Sequence, residues 1–545
     1  MTQGWSVDIV ADTITFFQPP ANGAAIVVSR FGSAGFNATD LWSYAAWNPG
    51  FGYPGEVEFF ADRLVWACSP TQPQTLWFSR TANYANHGKT TPLLDTDSIT
   101  ITYNGRQVNA IRELVPLASL MIMTTSAEIK LTTGGDEVVA PGKVGFSLQS
   151  YYGSGRLSAQ VVGDQVLYMQ GRGFTLRDLG FQFTKDGYAG NDLTVYASHL
   201  VEGFTIVDTA FQQVPYSALH LVRSDGKLLT VTYLREQEVV GWALHETDGK
   251  IFTVCTIPMG NENAVYYGVE RTINGVTRRY IERLSQRTIA DVRDAFFVDC
   301  GLTFDGRAQA GVQTLTGGTT WEEDEVLRLT SSVPVWVGVS DQGDYVRGFV
   351  DGESVDLLVL DYVSSTQVDV QSVGTVPVAL RGAFASWDLM RSTIVGAGHL
   401  EGKTVAVLGD GSRQSRKVVL GGSFELDVPC AVVQFGLPYR SLIETLDINV
   451  PGGETVRDRP KLITRLGILV KDTRGLRAGP DENTLDDVKL EWSEEEGDPT
   501  IPLETGLFEY TISATWDKNG RVVVVQDDPL PATVLGIIPR VEVGA

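Results

Sequence analysis

The chain has 545 residues, of which 43% are hydrophobic and 10% aromatic, and 57 of them are glycine. It is too long for a single hydrophobic core, and its composition is typical of a folded, turn-rich protein rather than a disordered one. With 43 basic and 66 acidic residues, the formal net charge is -23. This charge disfavours a protein that grips nucleic acid or an anionic membrane surface by neutralising phosphates.

Cysteine spacing and hydropathy exclude further classes of protein. Cys68, Cys255, Cys300 and Cys430 lie far apart, so they indicate neither a zinc site nor a disulfide framework, and we expect reduced thiols. The first residues lack the basic region and apolar core of a signal peptide. The longest apolar runs, such as residues 114–123, have about half the length of a membrane helix. We therefore expect a soluble protein made in a cytoplasm, without stable membrane insertion.

The N-terminal segments read as short strands. Residues 1–55 are interpreted as a small β domain whose core candidates are Trp5, Ile9, Ile14, Phe16, Ile26 and Val28. Next, Arg63–Cys68 and Thr75–Phe78 are apolar runs on either side of a loop that contains Pro70 and Pro73. Because proline cannot continue a helix, these runs predict two antiparallel strands. Neither run alternates with polar residues, so we expect both of their faces to be covered.

Hairpin turns recur along most of the chain. The pairs Asn-Gly and Asp-Gly, which favour two-residue hairpin turns, lie at residues 22–23, 104–105, 186–187, 225–226, 248–249, 274–275, 305–306, 351–352, 410–411 and 519–520. Stacked hairpins of this kind build sandwiches or propeller blades. One helix is predicted, Asp192–Val201, capped by Asn191 or Asp192. The pattern predicts an all-β, multidomain protein.

Composition divides the chain after its first 55 residues. Residues 56–300 carry hairpin after hairpin. Residues 301–395 have short strands separated by Gly, Ser and Thr, which indicates an inserted β domain. Residues 396–545 return to long strands.

Candidate catalytic motifs in the sequence lack the residue context that their chemistry requires. Ala397–Thr404 fits a relaxed phosphate-loop pattern, but the residues after Lys403 are β-branched, whereas a phosphate loop must open a helix. The five histidines, His87, His199, His220, His245 and His399, have no metal-ligand spacing. No GxSxG nucleophile motif is present. Two carboxylates facing each other across a sugar would suffice for a glycosidase, and β-propellers host such enzymes, so a carbohydrate-active enzyme is the alternative function.

Charge is segregated near the C-terminus. Residues 457–477 contain seven basic and two acidic side chains, net +5, and residues 481–498 contain nine acidic and one basic, net -8. We call these the basic strip and the acidic strip. They are interpreted either as an ordinary solvated hairpin pair or as complementary surfaces of neighbouring subunits. Nucleic-acid binding ranks third, because the basic strip has no aromatic residue on which a base could stack.

Several segments, in chain order, resemble one family. The first is a strand ending in Arg-Leu, then a proline loop and a Trp-x-Ser-Arg run, here Arg63-Leu64, Pro70–Pro73, Trp77, Ser79, Arg80, Asn83, Tyr84 and Asn86. The others are Leu234–Pro258, Tyr280-Ile281-Glu282, Val298–Leu302 (with Cys300 where serine is usual), Gly398–Gly402 followed by VAVLGDGS, and Asp528–Pro531. Together they cover most of residues 42–540. The chain thereby resembles the tail nozzle proteins of short-tailed (podovirus-like) bacteriophages, also called tail tubular protein B or the tail hub.

The resemblance implies a fold and a structural role. The fold would be a β-propeller-like platform of antiparallel hairpins with additional small β-barrel or sandwich domains. Residues 56–300 would form the first part of the platform, and residues 396–545 would complete the platform and the nozzle tip. Six copies would form a homohexamer ring in the virion tail that retains packaged DNA and conducts it during DNA ejection. Partners would be other copies of the chain, the adaptor, tail fibres or spikes, and genomic duplex DNA that passes without tight binding.

The resemblance does not imply an enzyme. The resemblance assigns no catalytic residue, no cofactor and no metal ligand to this sequence. Assembly would take place in the bacterial host cytoplasm. The glycine-rich turn Tyr151–Arg156 is a candidate gate of the channel.

Overall fold

The structure is a computed structural model that describes residues 5–8, 13–16, 47–105, 109–134, 138–449, 456–488, 502–513 and 516–544. The chain forms two units. The first is Met1–His245 with Ile251–Tyr267, and the second is Glu246–Lys250 with Gly268–Ala545. Nearly all regular structure is antiparallel β-sheet, so the predicted all-β class is confirmed.

A hairpin begins the first unit. Strands β1 (Trp5–Asp8) and β2 (Thr13–Phe16) pair antiparallel. The core candidates predicted for residues 1–55 lie outside the residues whose side chains the structure describes. The predicted turn at residues 22–23 lies outside the described residues as well.

Four successive four-stranded sheets follow in the first unit, each built from consecutive antiparallel strands. The first two consist of β3 (Glu56–Phe60), β4 (Arg63–Ala67), β5 (Thr75–Phe78), β6 (Ile99–Thr102), then β7 (Ile111–Pro116), β8 (Leu120–Thr124), β9 (Glu128–Thr132) and β10 (Gly145–Ser150). The next two consist of β11 (Gln160–Val162), β12 (Gln165–Met169), β13 (Leu176–Gln182), β14 (Gly187–Ala189), then β15 (Ile206–Gln212), β16 (Ala218–Arg223), β17 (Leu228–Leu234) and β18 (Val239–His245). A sheet of four consecutive antiparallel strands is the blade from which β-propellers are built.

Successive blades of the first unit share hydrophobic cores. Side chains alternate between the two faces of a strand, so Ile122 packs toward the first blade while Met121 and Met123 pack toward the third. In the third blade Tyr168 belongs to the core shared with the second, and Leu167 to the core shared with the fourth. Strands covered on both faces lose the polar alternation of a half-exposed strand. This packing gives the first unit its propeller-like arrangement.

The strand pair predicted around the proline loop is confirmed. β4 and β5 pair antiparallel, with Trp66 opposite Trp77. One face of β4 buries Val65 in the core shared with the second blade. On the other face, the Trp47 ring centroid lies 5.5 Å from that of Trp66 and 5.6 Å from that of Trp77.

A three-stranded sheet follows the four blades along the chain. It consists of β19 (Lys250–Met259), β20 (Glu262–Ile273) and β21 (Val276–Arg283). Asn274 and Gly275 have φ values of 47° and 74° between β20 and β21, which is a type I′ hairpin turn.

The second unit contains a smaller and a larger sheet. The smaller consists of β22 (Asp299–Asp305), β30 (Thr404–Gly409), β31 (Ser412–Arg413), β32 (Lys417–Val418) and β34 (Val432–Leu437). The larger has the order β28-β23-β24-β27-β26-β25-β29-β33. Its strands are β23 (Gln313–Thr316), β24 (Val326–Ser331), β25 (Tyr345–Val350), β26 (Glu353–Ser364), β27 (Gln367–Ser372), β28 (Ala383–Phe384), β29 (Ser386–Val395) and β33 (Ser423–Cys430).

Two further sheets form a small sandwich at the C-terminus. One has the order β35-β40-β37-β38 and the other β39-β36-β41, and they share a core that includes Leu466, Ile468 and Val524. The strands are β35 (Ser441–Glu444), β36 (Lys461–Thr473), β37 (Arg477–Asp481), β38 (Thr484–Asp487), β39 (Glu504–Tyr510), β40 (Val523–Gln526) and β41 (Thr533–Val543). Within the described residues, no strand of this sandwich pairs with a strand outside it. We call it the C-terminal sandwich.

The predicted helix Asp192–Val201 is wrong in extent. Helix α1 covers only Ser198–Val201. The preceding residues extend a blade instead, because the amide of Leu193 donates to the carbonyl of Leu176 at 3.0 Å and Asp192 bridges Arg177. Other helical turns are 3-10 turns at Phe183–Lys185, Arg235–Gln237, Val292–Asp294, Val339–Asp341, Val378–Leu380 and Gly398–Leu400.

Candidate functional site

A buried arginine organises one end of the second unit. The side chain of Arg271, on β20, is 1% exposed, and its guanidinium forms two parallel bonds to the carboxylate of Glu282 on β21, at 2.6 and 2.7 Å. Its Nη1 donates to Thr247 Oγ1 at 2.8 Å and to the carbonyl of Asp248 at 2.7 Å. A buried guanidinium requires such a set of acceptors, because an unpaired buried charge is costly. We call Arg271 and Glu282 with Thr247, Asp299 and Cys300 the Arg271 cluster.

Burial changes the acidity of two groups in the Arg271 cluster. It raises the pKa of Asp299, against a hydrogen bond from Thr247 and the positive charge of Arg271. Burial, with the negative charge of Glu282, raises the pKa of the Cys300 thiol to about 12. A thiol with this pKa stays protonated at neutral pH and is a poor nucleophile.

The phosphate-loop pattern lies beside the Arg271 cluster, in a different structural context from a phosphate loop. His399 Nε2 donates to the carbonyl of Cys300 at 3.0 Å, and Lys403 Nζ bonds Asp248 Oδ2 at 2.5 Å. Thr404 begins strand β30 rather than a helix, as expected from the β-branched residues after Lys403. Segments Tyr280–Glu282, Val298–Leu302 and Gly398–Gly402, singled out separately in the sequence, therefore meet here.

A cleft of about 1070 Å³ is the second candidate site of this unit. We call it the arginine cleft. Its charged lining residues are Arg347, Asp356, Asp410, Arg413, Arg416, Asp427, Arg440, Arg477, Asp527 and Asp528. They come from the larger sheet, the smaller sheet and the C-terminal sandwich. The cleft is thus a place where side chains from three substructures of one unit converge.

Every carboxylate lining the arginine cleft already accepts a bond from the same chain. Asp356 receives both arms of Arg347, and Asp410 accepts from the amides of Ala431 and Val432 at 3.0 and 2.8 Å. Asp427 accepts from Ser415 and Lys417, while Asp527 and Asp528 contact arginines. The alternative glycosidase needs two carboxyl groups that face each other across a sugar, whereas these carboxylates are engaged by groups of the chain itself.

Only some residues of the basic strip are exposed at the surface. Lys461 is buried, and its Nζ donates to the carbonyls of Arg459 and Lys518 at 3.2 and 2.5 Å. Arg465 and Lys471 are exposed on β36.

Some residues of the acidic strip form ion pairs with arginines of the same chain. Glu482 pairs with Arg440 at 2.6 Å, and Asp487 lies 3.5 Å from Arg477 of the basic strip. Residues 489–498 lie outside the described residues.

The remaining predicted residues are dispersed. His220 is buried, with Nδ1 3.1 Å from the hydroxyl of Tyr267. In the part of the chain that the structure describes, no group of three or more His, Cys, Asp or Glu side chains could hold a metal ion. In the candidate gate, Tyr151 is 78% exposed, and the amide of Ser154 donates to the carbonyl of Thr124 at 2.7 Å. Its role as a gate stays a prediction.

Sequence reasoning did not find the arginine cleft. Its arginines lie on separate segments, and no spacing rule connects them. The available signal was indirect: Asp410 and Asp528 belong to two of the segments that the sequence analysis singled out. In the structure, both line this cleft.

Comparison with known proteins names no family. No family model matches the chain, and no curated protein matches it. The solved structures similar to it include YCF48 bound to D1 peptide, 10% identical over 70% of this chain and 92% of that chain, with a TM-score of 0.26. A luciferin-regenerating enzyme is 9% identical over 59% of this chain and 92% of that chain, with a TM-score of 0.25. These TM-scores are too low to carry an argument about function.

Among the described residues, none of the helices has the length and apolar character needed to cross a membrane.

Proposed function

We propose that this chain is a structural subunit of the tail nozzle of a short-tailed bacteriophage. Copies of it form a ring that closes the tail channel, retains packaged DNA and conducts it at ejection. The observation that carries the proposal is the use of the family-like segments. Tyr280–Glu282, Val298–Leu302 and Gly398–Gly402 come together in the Arg271 cluster and its neighbours, where they hold strands to one another.

The contacts of these segments favour a structural role. Glu282 neutralises a buried arginine, and the Cys300 thiol is held protonated. Both carboxylate oxygens of Glu401 accept backbone amides, from Gly421 at 2.9 Å and Gly422 at 2.7 Å. These contacts fix the local conformation of the backbone, as is needed in a subunit that must be rigid in an assembly.

The fold is suited to the same role. Propeller-like blades with a separate sandwich provide rigid surfaces on which an adaptor and fibres can dock, and strands paired within blades leave few open edges. The net charge of -23 suits a wall past which duplex DNA slides, because a basic wall would release counterions and hold the DNA.

Imaging of the assembly tests the proposal. The purified chain is expected to be monomeric or weakly associated by mass photometry, and to form sixfold rings with a central channel on its adaptor ring in negative-stain micrographs. Failure to bind the adaptor, with no ring under any condition, would remove the proposal. In parallel, the protein is assayed against polysaccharides, lipopolysaccharide, peptidoglycan and nucleoside triphosphates. Turnover abolished by a single Asp or Glu substitution would establish the carbohydrate-active or another enzymatic function instead.

A further inference from the structure

Strand β21 lies at the edge of a sheet that has one strand fewer than the four blades. Each blade of the first unit has four strands, whereas this sheet has the order β19-β20-β21. In every blade the third strand along the chain is paired on both sides, and most of its residues are buried. β21 is the third strand of its sheet and pairs with β20 alone, and no strand among the described residues lies along its other edge. β21 thus leaves open the position that a fourth strand fills in the blades.

β21 is long and exposed for an edge strand. None of its eight residues, Val276–Arg283, is buried, and Ile281 is 85% exposed. Alternate residues of an edge strand direct their backbone N–H and C=O groups away from the sheet, so a strand of this length offers about four such pairs of groups. Proteins commonly protect edges by shortness, proline, a bulge or charge. The outermost strands of the four blades have only three to seven residues. β21 is longer and contains no proline, so its protection falls to charged side chains.

The charged side chains of β21 are mostly basic. Side chains alternate between the two faces of a strand, so Arg279, Ile281 and Arg283 lie on the same face of β21. A contact with β20 defines this face, because Arg279 Nε lies 3.3 Å from Glu270 Oε2 and both side chains are exposed. An exposed pair of this kind contributes little. The face therefore presents a cation, an exposed apolar side chain and a second cation in turn.

The only carboxylate of β21 does not offset these cations. Glu282 lies on the opposite face, where both of its oxygens are bonded to the buried guanidinium of Arg271. Like charges opposite each other on paired strands are destabilising, whereas opposite charges attract. The arginines of β21 therefore disfavour pairing with another basic strand and favour pairing with an acidic one.

We propose that an extended acidic segment of another protein chain pairs with the open edge of β21 and completes the sheet with a fourth strand. In strand addition of this kind, backbone hydrogen bonds supply affinity, and side chains at alternate positions supply specificity. The side chains of the segment that face Arg279, Ile281 and Arg283 are acidic, apolar and acidic in that order. The inference does not depend on the proposed tail function, and β21 is not part of the basic strip.

Binding of a peptide strand tests the proposal. The probe is a dye-labelled peptide, Thr-Glu-Thr-Val-Thr-Glu-Thr, whose binding to the full chain is followed by fluorescence anisotropy. Hydrogen exchange with mass spectrometry reports on β21 in the same samples. We expect saturable binding and slower exchange of amides within residues 276–283, because added backbone hydrogen bonds protect amides from exchange.

The same peptide with its internal amides N-methylated is the control for backbone pairing. It cannot donate hydrogen bonds along an edge, so it should not bind. Equal binding of the N-methylated peptide, no saturable binding of the parent peptide, or unchanged exchange in β21 would each overturn the proposal.

Charge reversal tests the specificity of the edge. R279E/R283E should weaken binding of the acidic peptide about fivefold or more, because two attractive cross-strand pairs become repulsive. The same variant should instead bind a peptide with lysine in place of glutamate. K185E/R235E reverses two exposed cations of the first unit and should bind the acidic peptide like the native chain, and circular dichroism checks that both variants fold. Equal effects of the two double variants, or equal binding of the acidic and lysine peptides by the native chain, would attribute binding to net charge and overturn the proposal.

Mass photometry of the full chain distinguishes a second copy as the occupant of the edge. We expect the isolated native chain to leave the edge open, so that R279E/R283E does not change its distribution of masses. Dimers or larger species that disappear in R279E/R283E would identify the edge as a contact between copies of this chain, and would overturn its assignment to another protein.

Discussion

The pairing of Arg271 with Glu282 predicts that a substitution at Glu282 strongly destabilises the second unit. Breaking a buried ion pair leaves an uncompensated charge and costs on the order of 3–5 kcal/mol. Glu282 is 19% exposed, so E282Q should lower the free energy of unfolding of this unit by about 3 kcal/mol. Urea unfolding followed by tryptophan fluorescence measures the change. The control is E270Q, because Glu270 and Arg279 are exposed and such pairs contribute under about 1 kcal/mol. Similar losses in both variants would show that the Arg271 cluster is not energetically special.

Glu113, in the first unit, predicts a dependence of stability on pH. Burial and the negative charges of Glu56 and Glu58 raise its pKa to about 7, although its carboxylate accepts the amide of Ala159 at 2.7 Å. The folded state therefore binds the proton more tightly than the unfolded state. Its stabilising contribution is complete below the ordinary pKa of 4.5 and is lost as pH rises through about 7.

Substitution of Glu113 removes this pH-dependent contribution to stability. E113Q should raise the melting temperature at pH 8 and change it much less at pH 5, because only the ionised carboxylate is penalised by burial. The comparison variant is E425Q, at an exposed position. An identical shift of E113Q at the two pH values would contradict the assignment.

At the scale of elements, some hairpin turns have a residue pair that predicts them, and others have the same backbone conformation without such a pair. Asp351-Gly352 and Asp410-Gly411 have positive φ at both positions, like Asn274-Gly275, so these three are type I′ turns predicted from their residue pairs. Between β3 and β4, Ala61 and Asp62 also have positive φ, 49° and 55°. Alanine gives no turn signal there, so the residue pairs that favour hairpin turns did not indicate this hairpin.

Gly352 offers a direct test of the turn chemistry. Its φ is 85°, and a Cβ added there meets nothing within 4 Å, so G352A has a conformational cost without a clash. We expect a loss of about 1 kcal/mol in the free energy of unfolding. G241A is the matched control, since a Cβ at Gly241 also meets nothing within 4 Å and no positive φ is present. G241A should be neutral or stabilising. A neutral G352A would rule out backbone strain as the reason for glycine.

At the scale of the whole molecule, two exposed cations carry the assembly prediction. Arg465 and Lys471 lie on β36 and are exposed, whereas Lys461 of the same strand is buried. Reversing both to glutamate should impair ring formation on the adaptor while leaving circular dichroism and melting temperature unchanged. Assembly of the native chain should weaken with salt, because exposed charge pairs are screened within about 10 Å at 0.1 M ionic strength. R279E, at another exposed position, is the control and should form normal rings. Normal rings from R465E/K471E would show that the basic strip faces solvent and does not contact a neighbouring subunit.

The net charge of -23 predicts weak binding of duplex DNA by the whole chain. A conduit should repel DNA weakly at all registers, whereas a basic lining would hold it through counterion release. A fluorescence titration with duplex DNA at low and moderate salt is expected to show no micromolar binding. Tight binding with a steep salt dependence would indicate a basic channel and contradict this interpretation of the charge.

The sequence by itself determined the β class, the strand pair around the proline loop and several hairpin turns. These follow from interactions between neighbouring residues, such as the fixed φ of proline and the positive φ that Asn-Gly favours. The helix Asp192–Val201 was overestimated because its apolar spacing fits a helix locally, while Asp192 and Leu193 gain more by pairing with Arg177 and Leu176 on a blade edge.

Only the tertiary structure decided which distant segments meet. The Arg271 cluster joins residues 247, 271, 282, 299 and 300, and the arginine cleft draws on residues from 345 to 529. Such contacts depend on sheet order and on which face of each strand is covered, and neither is encoded in local spacing. Tertiary packing also divided the basic strip. It buried Lys461, whose Nζ donates to the carbonyls of Arg459 and Lys518, and left Arg465 exposed to solvent. A count of charges along a strand cannot make that distinction, because Lys461 and Arg465 would share a face of a regular strand, whereas the register of β36 shifts between Ile463 and Arg465.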